Sequence, residues 1–316
     1  MNKIESKAIT ASIIIATKDR PHDLRECLRS IVNQTELPME VIIVDSSKDD
    51  ESYKIILEFR KYFSIKYVKV EHPSSTYQRN IGVKMASGNV IHFLDDDVIL
   101  NHDYLEKIHE IYRNDLTGAI KGVGGLIIQP IRKGGYNFLN DLFRKIFMLT
   151  NDKGDGRLLR SGWASVQYRK NVTNVARTEI LQGCCSYRKE VFDEYEFDER
   201  LSGLALREDI DFSYRVSRKY ELIYTPFAKL YHKKSPAGRE DEEVYYQKYF
   251  YNHYYLFKKN IKPSVINYLC FIWSDIGSLL AIVFLCLKER NVKPLKGVVR
   301  GYLCIFQDFF HCEFKI

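Results

Sequence analysis

Asn89-Val90-Ile91-His92-Phe93-Leu94-Asp95-Asp96-Asp97 is the stretch that decides the fold. A short apolar run that follows Gly88 and ends in acids has the length of a strand buried on both faces, the kind that parallel sheets use. Three similar runs precede it: Ala11–Thr17 (ASIIIAT), Glu40–Asp45 (EVIIVD) and Ile65–Val70. Helical patterns separate them. Pro21 opens one that runs to about Asn33 with Leu24, Leu28 and Ile31 on one face. A second lies near Tyr53–Phe63, and a third covers Ser75–Ala86. This rhythm predicts an α/β fold with a doubly wound, mostly parallel, Rossmann-like sheet. Ligands of such sheets bind beyond the carboxyl ends of the strands. Those ends carry Thr17–Arg20, Asp45–Ser47, Glu71 with His72, and Asp95–Asp97, so a polar crevice is predicted there.

Further along, Ala119–Ile128 reads as a strand and Gly134–Met148 as a helix, with a mobile loop over Asn151–Gly162. Ser165–Asn174 and Ile180–Tyr187 are strand-like, Arg207–Lys219 is a charged helix, and Leu222–His232 is a strand. Glu240–Lys259 is a tyrosine-rich helix. Val265–Leu287 is mostly apolar and close to the ~20 residues that a membrane span needs. Wound as a helix, it collects Asn267, Ser274, Asp275 and Ser278 on one face. It therefore fits a surface-packed helix hairpin, a helix in the membrane interface, or a span in which Asp275 is costly. Lys288, Arg290, Lys293, Lys296 and Arg300 follow, which favours anionic headgroups. Three regions are expected: 1–118, 119–239 and a helical, membrane-associating 240–316.

The chain has 316 residues, 45% of them hydrophobic and 28% charged, enough to bury a large core. Its 48 basic and 41 acidic residues leave +7, suited to anionic ligands or lipid. No zinc-finger spacing or lysine block interleaved with aromatics occurs, so no nucleic-acid partner is expected. Seven scattered cysteines, with Cys184 beside Cys185 and no C-x-x-C, read as reduced thiols. Met1–Thr10 is short and polar, so the catalytic region is expected in the cytoplasm.

Asp95, Asp96 and Asp97 repel one another in a crevice unless a cation joins them. Mn²⁺ or Mg²⁺ takes hard oxygen ligands and is commonly shared between carboxylates and substrate phosphates. The plainer alternative is that these acids cap a following helix.

Six ordered blocks resemble the GT-A-fold family 2 glycosyltransferases across roughly residues 11–258. They are IIIATKDRP with LRECLRSI, VIIVDSSKDD, QRNIGVKMASGNVIHFLDDDV, LQGCCSYRKEVF, REDIDFSYR and YTPFAKLYH. The resemblance implies an inverting transferase that uses a nucleotide-sugar donor, a UDP-sugar first, and a divalent metal. It implies that Thr17 and Asp45 face the nucleobase, with Arg20 on the same rim and Arg79 at the nucleotide. It matches Asp95 and Asp97 to the D-x-D pair, Asp97 as metal ligand and Asp95 nearer the ribose, with Asp96 between them on the donor side. Asp209 takes the base position beside Glu208, though either acid also suits the start of a helix. His232 falls where relatives place a third metal ligand, and a structural histidine is the even alternative. Gly183 and Cys184 match the acceptor floor, and Asp211 is expected to pair with Arg215. The acidic turn lacks its usual glycine at Asp45-Ser46-Ser47-Lys48. Arg207 replaces a small residue before the Glu-Asp pair, which points to an acidic or phosphorylated acceptor.

The basic, apolar tail adds a glycan or lipid-linked acceptor at the cytoplasmic face of a membrane as the expected setting. Two rivals stand beside this. One is a nucleotide-sugar-binding scaffold without transfer, which has no need of Asp209. The other is a D-x-D phosphatase of the haloacid-dehalogenase type, whose motif ends a first strand, whereas three strands precede Asp95 here.

Overall fold

The computed structural model describes residues 8–129, 138–151, 153–166, 173–201, 203, 205–237 and 240–313. They form two compact units, Met1–Ile131 with Gln167–Gly238 and Arg132–Val166 with Arg239–Ile316.

In the first unit, β1 (Ala11–Thr17), α1 (Pro21–Val32), β2 (Glu40–Asp45), α2 (Glu51–Phe59), β3 (Ser64–Lys69), α3 (Ser75–Met85) and β4 (Val90–Asp95) alternate as the sequence predicts. Next come β5 (Val98–Leu100), α4 (Tyr104–Asn114) and β6 (Ile120–Ile128). After α5 (Phe138–Ile146), which belongs to the second unit, the first unit resumes with β7 (Ala176–Thr178), β8 (Cys185–Arg188), α6 (Glu208–Ser217) and β9 (Glu221–His232). The sheet runs β3-β2-β1-β4-β8-β6-β9-β5, with β7 on β9. β3, β2, β1 and β4 are mutually parallel, and β6 is parallel to β9. β8 is antiparallel to both β4 and β6, so the mostly parallel sheet changes direction at its middle.

Alternation along the strands divides the interior into two cores. Ile13, Ile15, Val41 and Ile43 pack with Leu24, Leu28 and Ile31 of α1 and with Ile108 of α4. Ile14, Ile42, Val44 and Phe93 pack on the other face with Phe212 and Val216 of α6. Both faces of β1, β2 and β4 are thus covered, which is why these runs are mostly apolar rather than alternating. Each such side chain contributes roughly 1.5–3 kcal/mol by leaving water.

One polar pair lies inside this framework. His92 on β4 and His109 on α4 are buried with their Nε2 atoms 3.1 Å apart, and His109 Nδ1 is 2.7 Å from Glu36 Oε2. Burial, then the charge of His109, pushes His92 well below the ordinary histidine range. Burial also lowers His109, although Glu36 pulls it back. Histidines with depressed native pKa values stabilise the fold fully above the unfolded value of about 6.5, and that stability is lost as pH falls below it. The stability lost between pH 7.5 and 5.5 should therefore be smaller in His92→Gln, by at most about 1.4 kcal/mol, the loss set by the unfolded-state titration alone. Urea unfolding of both proteins at both pH values measures this and cancels the other titrating groups. An identical difference in the two proteins would show that His92 takes up its proton equally when folded.

The second unit contains α5, α7 (Glu242–Asn260), α8 (Val265–Glu289) and α9 (Lys293–Glu313). Residues 134–137 of the predicted helix Gly134–Met148, and 167–172 of the strand-like Ser165–Asn174, lie outside the described residues. The predicted strand over Ile180–Tyr187 is ordered as β8 only from Cys185. α9 packs along α7 through Gly297 and Gly301. A Cβ at Gly297 would collide with the Glu243 carbonyl, and one at Gly301 would stand 2.9 Å from the Gln247 carbonyl.

Candidate active site

The parallel register sets Thr17 opposite Asp45 and Ala16 opposite Asp95, so the carboxyl ends of β1, β2 and β4 finish level. Gln78 of α3 donates its amide to the carbonyls of Thr17 (3.1 Å) and Val44 (2.7 Å), stapling two of those ends together. Here the acids diverge. Asp95 Oδ1 accepts from Arg79 Nη2 at 3.2 Å. Asp96 turns to the β1 side, where Thr17 Oγ1 donates to Oδ2 at 2.7 Å and Arg20 Nη1 to Oδ1 at 3.0 Å. Asp97 Oδ1 lies 3.1 Å from His232 Nε2, and its Oδ2 accepts from the Ser235 amide at 2.8 Å. None of the three caps a helix, because β5 intervenes and the N-cap of α4 is Asp103.

β5 delivers the histidine. It pairs antiparallel with the end of β9, setting Val98 against His232, so Asp97 and His232 are brought together by adjacent ladder positions. Beyond β9 the chain stays on the acids. The Lys233 amide donates to the Asp97 carbonyl, and Arg20 Nε donates to the Ala237 carbonyl. The Lys233 ammonium is held on α1 by Asp23 and Glu26.

Arg79 connects the D-x-D acids to a second acidic group. Its Nη1 donates to Glu208 Oε1 at 2.7 Å while Nη2 holds Asp95. Glu208 and Asp209 open α6 after Arg207, which is buried and takes a left-handed backbone (φ 74) at the N-cap. The Ile210 amide donates to Asp209 Oδ1 at 2.8 Å. Gly183 borders the same space: a Cβ there would stand 3.3 Å from Arg79 Nη2 and 3.9 Å from Asp95 Oδ2. Cys184 is buried, and burial lifts its thiol well above the ordinary cysteine range.

Charge follows this geometry. Burial pushes Asp96 up to about 7, against the pull of Arg20 and Thr17. Burial would also raise Asp97, but His232 and the Ser235 amide outweigh it and lower its pKa. His232 is raised by Asp97 and Asp95 in spite of burial. Glu208 and Asp209 are both raised, first by burial and then by neighbouring negative charge, with Arg79 opposing. Arg79 is itself held protonated by Glu208 and Asp95 against its own burial.

The ligand atoms of Asp95, Asp97 and His232 all lie within 4.8 Å of one another. Two carboxylates and an imidazole are hard to intermediate donors that fit Mn²⁺ or Mg²⁺ and leave positions for water and phosphate oxygens. Asp45 sits apart from this group. It is fully buried, accepting from the Ser47 amide (2.7 Å) and the Tyr67 hydroxyl (3.0 Å). Asp211 pairs with Arg215 at 3.0 Å, as its spacing predicts.

Sequence reasoning missed Tyr67 and Ser235. Tyr67 is legible only through the β2–β3 register, which sets it against Ile43. Ser235 acts through its backbone amide, which leaves no side-chain signal.

Residues 12–196 match the family model described as "Glycosyl transferase family 2". A hyaluronan synthase from Pasteurella multocida is 26% identical over 76% of this chain, and the match spans 26% of that protein. This chain thus corresponds to about a quarter of that relative's length. YwdF of Bacillus subtilis, an uncharacterized glycosyltransferase, is 30% identical over 72% of this chain and 75% of its own. Among solved structures, Staphylococcus aureus TarS 1–349 in complex with UDP-GlcNAc superposes with a TM-score of 0.54 at 16% identity, covering 83% of this chain and 70% of that one. That likeness identifies the GT-A type of fold.

Proposed function

Since this chain belongs to glycosyl transferase family 2 and is a glycosyltransferase, we propose that it moves a sugar from a nucleoside-diphosphate donor, a UDP-sugar first, to a glycan or lipid-linked acceptor with inversion. The observation that carries this reading is the bridge made by Arg79. It joins an acid–imidazole cluster fit for a divalent metal to a partly buried acidic pair of raised proton affinity.

In this reading residues 1–118 hold the donor and 119–239 supply the acceptor side. Asp45 would accept from a ring N–H of the nucleobase once its carboxylate, now fully covered and held by the Ser47 amide and Tyr67, is uncovered. Thr17 and Arg20 hold Asp96 on the donor rim. Asp95, Asp97 and His232 would hold Mn²⁺ or Mg²⁺, which when bound neutralises charge on the departing diphosphate. Asp209 takes the proton of the acceptor hydroxyl as its oxygen bonds to the anomeric carbon and the carbon–diphosphate bond breaks on the opposite face. Arg79 fixes Asp95 and Glu208 in mutual register. Gly183, Cys184 and Arg207 line the acceptor side, where Arg207 favours an anionic group. Residues 240–316 associate with an anionic membrane at its cytoplasmic face, a setting that the basic run after α8 supports.

A thermal-shift screen of UDP-, dTDP- and GDP-sugars tests the donor assignment. Stabilisation of about 2.7 kcal/mol is expected at a hundredfold excess over Kd, only with Mn²⁺ or Mg²⁺ present, and EDTA should abolish it. Release of the nucleoside diphosphate with an acceptor then separates a transferase from a silent binder. Donor binding without any turnover would favour the scaffold.

A further inference from the structure

The face of α8 that water would be expected to solvate is turned inward. Ser274, Asp275 and Ser278 are buried, while Leu269, Ile272, Ile276, Leu280, Phe284 and Leu287 are exposed, the last two at 68% and 74%. An amphipathic helix of a water-soluble protein has the opposite arrangement. The inward polar groups are satisfied. Tyr302 of α9 donates to Asp275 Oδ2 at 2.5 Å, Ser274 Oγ to the Phe271 carbonyl at 2.8 Å, and Ser278 Oγ to the Ser274 carbonyl at 3.0 Å. The neighbouring helices extend the apolar surface. α9 exposes Val299, Leu303 and Phe306 at helical spacing, and α5 exposes Leu139, Leu142 and Ile146. α5 is tied to α8 where Trp273 Nε1 donates to the Ile146 carbonyl at 2.7 Å and its ring stacks on Phe147, centroids 4.9 Å apart.

We propose that α5, α8 and α9 form a docking surface that enters one leaflet of an anionic bilayer, with α8 lying in the membrane plane rather than crossing it. This deepens the membrane association proposed above and rests on it. Three observations favour lying over crossing. At 25 residues α8 is ~37 Å long, and cations flank both of its ends: Lys258, Lys259 and Lys262 before it, Lys288, Arg290 and Lys296 after it. In an in-plane helix both clusters reach headgroups of the same leaflet, whereas a span sends one to each side and loses half of the attraction. Asp275 is at mid-helix and its partner is on α9, so a crossing α8 would draw Tyr302 and its charged helix into hydrocarbon. Trp273, half exposed beside α5, suits the headgroup boundary.

The protein has two tryptophans, and Trp163 is buried, so Trp163→Phe leaves Trp273 as the reporter. The full chain is mixed with phosphatidylcholine vesicles, with and without phosphatidylglycerol. Co-sedimentation is expected only with the anionic lipid and should weaken with salt. Trp273 emission should shift to the blue and be quenched more by bromine near the headgroups than by bromine at the chain ends. Phe284→Asp with Leu287→Asp should weaken vesicle binding about tenfold or more, while the metal-dependent donor shift stays intact and certifies the fold. Strongest quenching from the bilayer centre, with resistance to alkaline extraction, would establish a span and overturn the proposal. Self-association that shields Trp273 without vesicle binding would overturn it in favour of a second copy. Absence of vesicle binding with normal donor binding would overturn it and leave the transferase assignment untouched.

Discussion

Asp209→Asn is expected to bind donor and metal as the wild type does and to transfer sugar about 10²–10⁴-fold more slowly, the range that a positioned general base supplies. The substitution is close to isosteric, and the asparagine oxygen can still accept from the Ile210 amide that now donates to Asp209. Loss of one acid from the first turn of α6 costs about 0.3–1 kcal/mol of helix stabilisation, too little to unfold the protein. What disappears is a proton acceptor whose affinity is raised by burial and by the charge of Asp95. Raised affinity suits the task, because a carboxylate at its ordinary pKa takes a proton from a hydroxyl poorly at neutral pH. Single-turnover transfer measured next to donor thermal shift separates the two steps. A fully active variant would remove Asp209 from the mechanism and return Glu208 to consideration.

The second large effect is expected at Asp97. Asp97→Ala should lower Mn²⁺ affinity by more than about 100-fold, since even residues that only support metal ligands account for 10–100-fold. The donor-induced thermal shift should vanish with it. Asp97 also holds His232 and the Ser235 amide, so the ligand-free variant should itself lose about 0.5–1.5 kcal/mol for each hydrogen bond removed. Titrating Mn²⁺ in the presence of UDP-sugar, against a wild-type control melted without ligand, distinguishes lost coordination from lost stability. Unchanged Mn²⁺ affinity would show that the metal, if bound, lies elsewhere.

β1, β2 and β4 are legible because strands covered on both faces are mostly apolar, with Ser12, Glu40 and His92 as the internal exceptions, whereas β3 is partly exposed and carries Lys66. Their carboxyl ends were legible for the same reason, since each apolar run stops at Thr17, Asp45 or Asp95. Less visible was β5, whose three residues carry no periodicity, yet its pairing with β9 is what brings His232 to Asp97. The resemblance puts Arg79 at the nucleotide, whereas its buried guanidinium holds Glu208 and Asp95, an arrangement set by how α3 and α6 pack and stated by no local pattern. Val265–Leu287 was recognised as apolar with one polar face. That the polar face is the covered one follows only from Tyr302, 27 residues after Asp275. Likewise nothing in residues 132–166 announced that they would group with the C-terminal helices.

The end of β9 and the residues just beyond it complete the acid cluster from late in the chain. His232, Lys233, Ser235 and Ala237 all grip the turn that carries Asp96 and Asp97, or the Arg20 that braces it. Synthesis proceeds from the N-terminus, so the sheet that frames the crevice leaves the ribosome well before the residues that complete it. A nascent chain up to β8 already holds the three aspartates yet lacks the imidazole and the amide that orient one of them. The acid cluster is therefore complete only once β9 has paired with β5 and the residues after it have docked on the turn.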